Sequence, residues 1–518
     1  MTSRPSRTRR VVAPVGMAMA TALAFLPATA SASSGDQRAA TDRSATATPA
    51  AGGEKLSYVV NVKKGKGHLA PVKKAIVEAG GTIVMAYDQI GVIVVHASNA
   101  DFAAKLRAVK HVESAGATRT APLAAQSTTD AGGATQPLTA EQAEAAAAQA
   151  APGQDPMEPL QWDLPAIKAD KAHLKSLGSR DVTVAVIDTG VDDTHPDLAP
   201  NFDRAASVDC VGGKPNTAEG AWRPYATGGS SHGTHVAGTI AAAKNGTGVT
   251  GVAPGVKVAG IKVSTQNDGM FYTEAVVCGF VWAAEHGADV TNNSYYVDPW
   301  MFNCTTDPDQ KALVEAVSRA TKYAERKGAL NVAAAGNSAF DLDADTILDD
   351  SSPNDTTPGD REIDPSVCLD LPRQVDGVVT VSSTGAKGLK SSFSNYGLGV
   401  IDIAAPGGDA TKYQKPDAPA EDGRILSTLP GGGHGYKAGT SMASPHVAGV
   451  AALIKSTHPN ATPKQVKRLL TGQADELACP TEYDLDADGK ADAVCASDEN
   501  GTGFYGVGMT DALDAVEK

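Results

Sequence analysis

Short strand-like runs alternate with longer helical stretches from about residue 156 to the C-terminus. Runs rich in β-branched residues predict buried strands, and apolar residues recurring every three or four positions predict helices. The predicted strands are DVTVAVID, VKVAGIKV, DVTNNSY, LNVAAAG and VVTVSS, and the predicted helices include HGTHVAGTIAAA, TEAVVCGFVWAAEHG and KALVEAVSRATKYAERKG. This alternation predicts an α/β domain over residues 156–518, with a mainly parallel sheet covered by helices.

A second, shorter pattern occupies residues 56–120. Its successive segments LSYVVNV, LAPVKKAIVEAG, TIVMAY, IGVIVVHA, NADFAAKLRAV and HVESAGA predict the order β-α-β-β-α-β, with Asn99 as the N-cap of the second helix. That order is typical of a small ferredoxin-like α+β domain. Residues 33–55 and 121–155 are rich in small and polar residues without apolar periodicity, so they predict a disordered segment and a linker.

The first 32 residues have the pattern of a secretory signal peptide. Four arginines precede an apolar run from Val11 to Leu26, and the small residues ATASA follow. A membrane anchor is the alternative, but the run is too short and too interrupted by proline to span a bilayer comfortably. We therefore predict a secreted, extracellular protein without a membrane contact after signal removal. The pair Arg9-Arg10 also fits a twin-arginine signal, so the export route stays open.

Charge and cysteine content narrow the function classes. The formal net charge of -14 divides into +9 for residues 1–120 and -23 for residues 121–518. An acidic body repels phosphates, which argues against a nucleic-acid partner, and nothing predicts more than a monomer. The six cysteines are an even number in an exported chain, which predicts disulfides. Nearness suggests only Cys479–Cys495, and the other four cysteines can pair in three ways.

Four polar residues lie where predicted strands end or predicted helices begin. Asp188 ends a strand, His232 begins a helix, Asn337 follows Gly336 after a strand, and Ser441 begins the apolar helix of GTSMASPHVAG. Singly, each has an ordinary structural explanation, such as a turn cap. Together they form one constellation, because a serine nucleophile needs an adjacent base and that base needs an orienting acid. A helix N-terminus and a side-chain amide are both suited to stabilising an oxyanion.

Three nearby side chains are alternatives for the same chemistry. Ser444 is one turn inside the helix and precedes Pro445, so its expected role is hydrogen bonding to the backbone. His446 follows in the same motif, and His235 lies one turn after His232. We interpret His235 as structural and Ser441 as the nucleophile.

Long motifs around these residues resemble those of a known family. VAVIDTGVDDTHPDL, SSHGTHVAGTIAA, VAAAGN and GTSMASPHVAG are similar to the signature motifs of the subtilisin-like serine peptidases. The likeness extends to SSFSNYG at Ser391–Gly397 and covers nearly all of residues 160–518. The resemblance implies a subtilisin-like three-layer domain with Asp188 as orienter, His232 as base and Ser441 as nucleophile. Asn337 and the Ser441 N–H would form the oxyanion hole.

The resemblance also extends to the small domain and to calcium. It implies that residues 56–120 are an inhibitory propeptide domain, with a maturation site between about Arg119 and Gln154. It further implies a structural calcium ion, since HPDL and AAAKNGTGV resemble a calcium site of the family, and a plain Asn-Gly turn is the alternative. The implied ligands are the side chains of Asp197 and Asn245 and the carbonyls of Ala243, Thr247 and Val249.

An acidic loop near the C-terminus offers a second candidate metal site, independent of the family. The pattern D-x-D-x-D-G-x-x-D lies inside the loop that Cys479 and Cys495 would close. It predicts either a short calcium loop or a solvated acidic turn. The four carboxylates are Asp484, Asp486, Asp488 and Asp492.

The substrate-binding residues depart from the family pattern. Ser294-Tyr295-Tyr296-Val297 stands where many members have Ser-Leu-Gly-Gly lining the cleft, so we expect Ser294, Tyr295, Tyr296 and Gly336 to contact substrate. A tyrosine there would narrow the pocket or stack on a substrate side chain. The loop at about 340–372 is acidic, which suggests the hypothesis of a bias toward cationic peptides.

These observations predict a secreted serine endopeptidase that hydrolyses proteins or peptides through an acyl-enzyme on Ser441. It would be made as a self-processing zymogen, with its own propeptide as intramolecular inhibitor. Two alternatives stay open at this point. One is an exopeptidase that trims short peptides from N-termini, and the other is a catalytically silent binding protein whose cleft is closed by Tyr295 and Tyr296.

Overall fold

A computed structural model describes residues 53–123, 135–266, 269–410, 414–485 and 488–518. The predicted signal peptide, nearly all of the segment 33–55 and part of the linker, residues 124–134, lie outside these described residues. The described residues all belong to one compact unit.

The small domain has the predicted order of elements, and its sheet is antiparallel with strand order β2-β3-β1-β4. Asn99 is not the N-cap of the second helix, because the helix begins three residues later. Its amide oxygen instead accepts the N–H of Asp101 at 3.0 Å and forms a turn before the helix. The elements are β1 Leu56–Val62, α1 Leu69–Glu78, β2 Thr82–Tyr87, β3 Val92–Ala97, α2 Phe102–Arg107 and β4 Val112–Ala117.

The large domain contains a seven-stranded parallel sheet with strand order β16-β15-β11-β9-β6-β8-β7. The strands of the linker and large domain are β5 Gln136–Pro137, β6 Thr183–Asp188, β7 Val208–Asp209, β8 Lys257–Lys262, β9 Val290–Asn293, β10 Asn303–Cys304, β11 Leu330–Ala334, β12 Ile347–Asp349, β13 Arg361–Ile363, β14 Cys368–Leu369, β15 Val379–Thr384, β16 Ile403–Pro406, β17 Ile425–Leu429, β18 Gly433–Lys437, β19 Ser497–Asp498 and β20 Gly501–Thr502.

Helices cover both faces of this sheet and complete the predicted three-layer architecture. The helices are α3 Ala140–Ala147, α4 Asp163–Ala166, α5 Ala169–Ala172, α6 His232–Ala241, α7 Thr273–Glu285, α8 Pro308–Lys327, α9 Thr440–Thr457, α10 Pro463–Gly472 and α11 Asp514–Glu517. Helices α6 and α9 pack on one face, where buried aliphatic side chains form the larger core. Helices α7 and α8 pack on the other face, and the sheet of the small domain packs against their outer side.

The sheet order brings three predicted site positions to one edge. β6 ends at Asp188, β9 ends immediately before Ser294, and β11 ends shortly before Asn337. These strands are neighbours in the order β11-β9-β6 and run parallel, so their carboxyl ends meet. This is the edge at which α/β sheets usually bind ligands.

All six cysteines form disulfides, as predicted. The pair Cys479–Cys495 is confirmed, and the remaining four cysteines pair as Cys210–Cys278 and Cys304–Cys368. The bond from Cys210 to Cys278 is buried and joins the loop after β7 to helix α7.

Candidate active site

Asp188 and His232 form a buried pair at the carboxyl edge of the sheet. The Nδ1 of His232 lies 2.8 Å from the Oδ1 of Asp188, and both side chains are almost fully buried. A carboxylate only accepts hydrogen bonds, so this contact places the proton on Nδ1 and leaves Nε2 as the acceptor. Within the described residues, Nε2 of His232 is buried and has no hydrogen-bond partner. The histidine is therefore oriented as a base with a vacant acceptor site.

The backbone beside this pair leaves room only for a glycine after His232. Gly233 follows His232, and a Cβ at this position would lie 2.4 Å from the carbonyl oxygen of Gly190 and 3.1 Å from the side chain of Asp188. The N–H of Gly233 also donates to the hydroxyl of Thr189 at 2.9 Å. Strand β6 and helix α6 are thus fixed to each other directly beside the Asp188–His232 contact.

Ser441 lies in the first turn of helix α9 and is largely buried. Its hydroxyl donates to the carbonyl of Ser294 at 3.1 Å, and the hydroxyl of Ser294 donates back to the carbonyl of Ser441 at 3.0 Å. The hydrogen bond from Ser441 to His232 is not formed in this state. Serine hydroxyls rotate readily, and catalytic contacts often tighten only when substrate binds.

Asn337 lies beside the start of the same helix. Its amide oxygen accepts both the N–H and the hydroxyl of Thr440, each at 2.8 Å. The hydroxyl of Thr440 also accepts the N–H of Gly336 at 3.0 Å. Because the oxygen is fixed by Thr440, the amide nitrogen is the end of Asn337 that can donate to a bound oxyanion.

The loop that contains Gly336 and Asn337 is held in place by two residues that the candidate site did not include. Asn395 donates from its amide nitrogen to the carbonyl of Ala335 at 3.0 Å, and its amide oxygen accepts the N–H groups of Ser338 and Phe340. Arg373 is buried and also donates to the carbonyl of Ala335. Asn395 lies in SSFSNYG, which already resembled a family motif, so that motif was the available signal.

The two tyrosines predicted to line the cleft have different surroundings. Tyr295 is only 7 % exposed, its ring stacks on Phe271 with centroids 4.6 Å apart, and its hydroxyl donates to Asn293 at 2.9 Å. The ring is therefore part of the core and is not available to stack on a substrate side chain. Tyr296 is half-buried, and its hydroxyl accepts a hydrogen bond from Asn354 at 2.8 Å.

The neighbouring histidines and serine have structural contacts. His235 is fully buried, its Nε2 faces the carbonyls of Ile425 and Gly435 at 3.1 Å, and burial lowers its pKa well below the ordinary value. Ser444 donates to the side chain of Asn292 at 2.7 Å, where a backbone partner was expected. His446 contacts the carboxylate of Asp163 at 2.9 Å. His235 is structural, as predicted.

The side chains predicted to bind calcium around Asp197 contact Thr247 and His434. The carboxylate of Asp197 accepts the hydroxyl of Thr247 at 3.0 Å and the N–H of Val249 at 3.0 Å, and it contacts Nε2 of His434 at 2.8 Å. The amide oxygen of Asn245 lies 2.6 Å from the same Thr247 hydroxyl, which has one proton to share between the two acceptors.

Both carboxylate oxygens of Asp197 thus have hydrogen-bond partners in the protein, and calcium binding at this position stays a prediction. The N–H of Ala243 donates to the carbonyl of Asp197 at 2.8 Å. His195 is also close to the pair, but both of its ring nitrogens contact backbone groups, namely the N–H of Asp197 and the carbonyl of Gly433.

The acidic loop between Cys479 and Cys495 is described except for residues 486–487, so Asp486 lies outside the described residues. Asp484 accepts the N–H groups of Asp488 and Gly489, and Asp492 accepts the N–H of Leu485 at 2.5 Å. Asp488 pairs with Lys490 at 3.1 Å. In the described part of the loop, these carboxylates therefore form turns and an exposed ion pair.

Comparison with known proteins assigns the large domain. Residues 179–503 match the model of the subtilase family. The chain belongs to the subtilase family. It is a subtilisin-like serine peptidase, and therefore a hydrolase. It is 33 % identical over 322 residues to subtilisin BL of Lederbergia lenta, covering 62 % of this chain and 94 % of that protein. It is 34 % identical over 316 residues to subtilisin DY of Bacillus licheniformis, covering 61 % and 92 %.

Solved structures resemble this subtilase over most of the described chain. The crystal structure of an epidermin leader peptide processing serine protease from Staphylococcus aureus has a TM-score of 0.63 and 25 % identity, covering 89 % of this chain and 98 % of that one. Fervidolysin from Fervidobacterium pennivorans has a TM-score of 0.60 and 24 % identity, covering 90 % and 62 %, which shows a shared fold. Among the described residues of this subtilase, no helix has the length and apolar content needed to cross a membrane.

Proposed function

We propose that this subtilase is a secreted serine endopeptidase, made as a self-processing zymogen, and that Ser441 is its nucleophile. The observation that carries the proposal is the buried Asp188–His232 contact of 2.8 Å, which leaves Nε2 of His232 as a vacant acceptor. Helix α9 begins beside Asn337 and carries Ser441 in its first turn.

The reaction follows from these positions. Ser441 attacks the scissile carbonyl while Nε2 of His232 takes the proton from its hydroxyl, and Asp188 stabilises the imidazolium that forms. The amide nitrogen of Asn337 and the N–H of Ser441 donate to the oxyanion, which is aided by the positive end of the helix dipole. His232 then gives its proton to the leaving amine. A water molecule, activated by His232 in the same way, hydrolyses the acyl-enzyme and releases Ser441.

The small domain is proposed as the inhibitory propeptide. Its sheet packs on α7 and α8, and the chain after β4 runs onto the large domain, where Arg119 pairs with Glu274. The N–H groups of Thr120 and Ala121 donate to the carboxylate of Asp355 at 2.8 and 3.0 Å.

The contacts on either side of the linker narrow the proposed maturation site. On one side, Leu123 donates its N–H to the carbonyl of Lys55. On the other side, the hydroxyl of Thr135 lies 3.3 Å from that of Ser231, which precedes His232, and β5 pairs with β18, the strand just before Ser441. We infer that the cut lies between Leu123 and Thr135.

Endopeptidase action is favoured over trimming of N-termini. The segment Arg119–Leu123 begins two residues after β4, so the surface of the large domain that holds Thr120 accepts an internal stretch of chain. The alternative of a catalytically silent binding protein required Tyr295 and Tyr296 to close the cleft. The ring of Tyr295 lies in the core, which argues against that alternative. The proposed partners are protein or peptide substrates and the chain's own small domain, and nucleic acid is not among them. The enzyme is proposed to be monomeric and extracellular.

A serine-directed phosphonate probe tests the proposal. We expect labelling of Ser441 in the processed protein and no labelling of the His232→Ala variant, because the serine then lacks its base. Digestion of an unfolded protein substrate separates the two peptidase types, since an endopeptidase releases internal fragments from the first minutes. Absence of both labelling and cleavage in the wild type would rule out the catalytic proposal. Removal of only N-terminal peptides would favour the exopeptidase.

A further inference from the structure

Arg119 occupies a closed pocket of the large domain. Its guanidinium bonds to the carboxylate of Glu274, at the start of α7, and lies 3.8 Å from the ring centroid of Tyr272. The side chains of Arg119 and Glu274 are only 9 % and 1 % exposed. Burial is the largest single effect on the pKa of Arg119 and acts to lower it, but Glu274, Tyr272 and Asp355 together raise the pKa. The pocket therefore holds a charged guanidinium away from water.

This pocket lies beside the candidate active site. Phe271, next to Tyr272, stacks on the ring of Tyr295, and the neighbouring Ser294 accepts the hydrogen bond from the hydroxyl of Ser441. The carbonyl of Phe271 also accepts the N–H of Asp298 at 3.1 Å. Two adjacent backbone segments thus connect the Arg119 pocket to the proposed nucleophile.

The chain that follows Arg119 is held through its main chain and through the hydroxyl of Thr120. Both N–H donors of Thr120 and Ala121 meet one carboxylate oxygen of Asp355, and the hydroxyl donates to the other. Main-chain contacts of this kind accept many sequences, whereas the Glu274 pocket contacts one side chain. The main-chain contacts with Asp355 are therefore expected to tolerate many sequences, whereas the Glu274 pocket selects one side chain.

Glu274 loses its cationic partner when the small domain leaves. One of its carboxylate oxygens is buried and has no hydrogen-bond partner among the described residues even with Arg119 in place. A buried carboxylate that loses its partner is costly, so a cationic side chain at this position binds favourably. A planar guanidinium both pairs with the carboxylate and stacks on the tyrosine ring, whereas an ammonium supplies only the charge.

We propose that Glu274 and Tyr272 form a subsite that selects an arginine side chain of the substrate, at the position that Arg119 occupies in the unprocessed chain. The proposal rests on the proposed peptidase function and adds a substrate class to it. Substrates with arginine at this single position are preferred over those with lysine, and both over those with alanine.

Cleavage of a positional peptide library by the processed enzyme is the first test. At one position before the scissile bond, we expect arginine to raise kcat/KM over alanine by about tenfold or more, as for a buried charge pair. In Glu274→Gln this ratio falls to near one. Glu285→Gln, at the other end of the same helix α7, is the matched control and keeps the preference. Cleavage without an arginine preference, or a preference that survives Glu274→Gln, overturns the proposal.

A binding measurement tests the pocket without catalysis. In the full-length Ser441→Ala chain, Arg119→Ala vacates the pocket, and N-acetyl-arginine amide should then raise the thermal unfolding midpoint more than N-acetyl-lysine amide does. Adding Glu274→Gln should abolish the increase. Equal small effects with and without Glu274 would overturn the subsite. An increase in this chain, together with a wild-type chain that cleaves no peptide, would keep the subsite and refute only the peptidase function.

Discussion

Asn337 is a residue whose position and chemistry point to one role. Thr440 fixes the amide oxygen through two contacts of 2.8 Å, so the amide nitrogen remains to donate to the oxyanion. We predict that Asn337→Ala lowers kcat by about 10²–10³-fold with little change in KM, since the donor acts only in the transition state.

Steady-state kinetics on a peptide substrate checks this prediction. Ser338→Ala, which alters the next residue in the same exposed loop, serves as the control and should retain most of the activity. A large rise in KM with unchanged kcat in Asn337→Ala would place the residue in substrate binding instead.

The four polar residues of the site could be predicted from the sequence because each lies at an element end within a long motif. The residues that position them could not be predicted in the same way. Arg373 and Asn395 reach the carbonyl of Ala335 from 38 and 60 residues away, and such contacts follow from tertiary packing. The contact of Asp197 with His434 spans 237 residues and is likewise set by tertiary packing.

At the scale of the element, the segment that follows strand β15 contains a buried lysine, Lys390. Lys390 is fully buried among the rings of Tyr396, Tyr483 and Phe504, and its Nζ donates to the carbonyls of Ser391 and Ser394 at 3.1 Å. Burial lowers its pKa from 10.5 to about 8. Below that pH the lysine is protonated in the folded and unfolded states alike, so it adds no pH dependence.

Between pH 8 and 10.5 the folded state has lost this proton and the unfolded state retains it. Stability therefore rises with pH through this window relative to a variant without the amine. We predict that the unfolding free energy of Ser441→Ala rises relative to that of Ser441→Ala/Lys390→Met as the pH increases above 8. Below pH 8 the difference between the two variants should be constant. Guanidinium unfolding at a series of pH values measures the difference, and parallel curves across the window would contradict the prediction.

The disulfides differ in the length of chain that they close. Cys210–Cys278 closes a separation of 68 residues and is buried, whereas Cys479–Cys495 closes 16. In the chain-entropy model, removing them costs about 4 and about 3 kcal/mol. We predict a larger fall of the thermal midpoint for the double Cys→Ser variant at 210 and 278 than for the one at 479 and 495. Calorimetry in the Ser441→Ala background measures both, and the reverse order would contradict the prediction.

At the scale of the element, the alternation of apolar runs predicted the central strands β6, β8, β9, β11 and β15 and the helices between them. It did not predict the edge strand β7, which has only two residues, Val208–Asp209. Short edge strands carry too few side chains for a periodic pattern and depend on their neighbour for pairing. The pairing of Cys210 with Cys278 was open for a related reason, since it depends on where α7 packs.

For the whole molecule, Arg319 on α8 is a main contact between the two domains. Its Nη1 donates to the carbonyls of Val62 and Gly91 at 2.8 and 3.1 Å, and its Nη2 pairs with Glu113 at 2.7 Å. We predict that Arg319→Ala weakens binding of the small domain after processing by about tenfold or more. The reason is that four acceptors of the small domain, including the carbonyl of Ile90, lose one largely buried donor.

Retention of the small domain on size-exclusion chromatography, followed by intact mass, measures this effect. Lys311→Ala changes an exposed residue of the same helix and is the control, with retention like that of the wild type. Equal retention in Arg319→Ala would show that this contact does not hold the domains together.

The central claim is that Ser441 processes its own chain, and intact mass spectrometry of residues 33–518 tests it most directly. The wild type should yield a mature form that begins between Leu123 and Thr135. The Ser441→Ala variant should remain full length, because the cut requires the serine hydroxyl. Identical processing of both chains would contradict self-cleavage. A wild type that stays full length and does not react with a serine-directed phosphonate would contradict the assignment of Ser441 as the nucleophile.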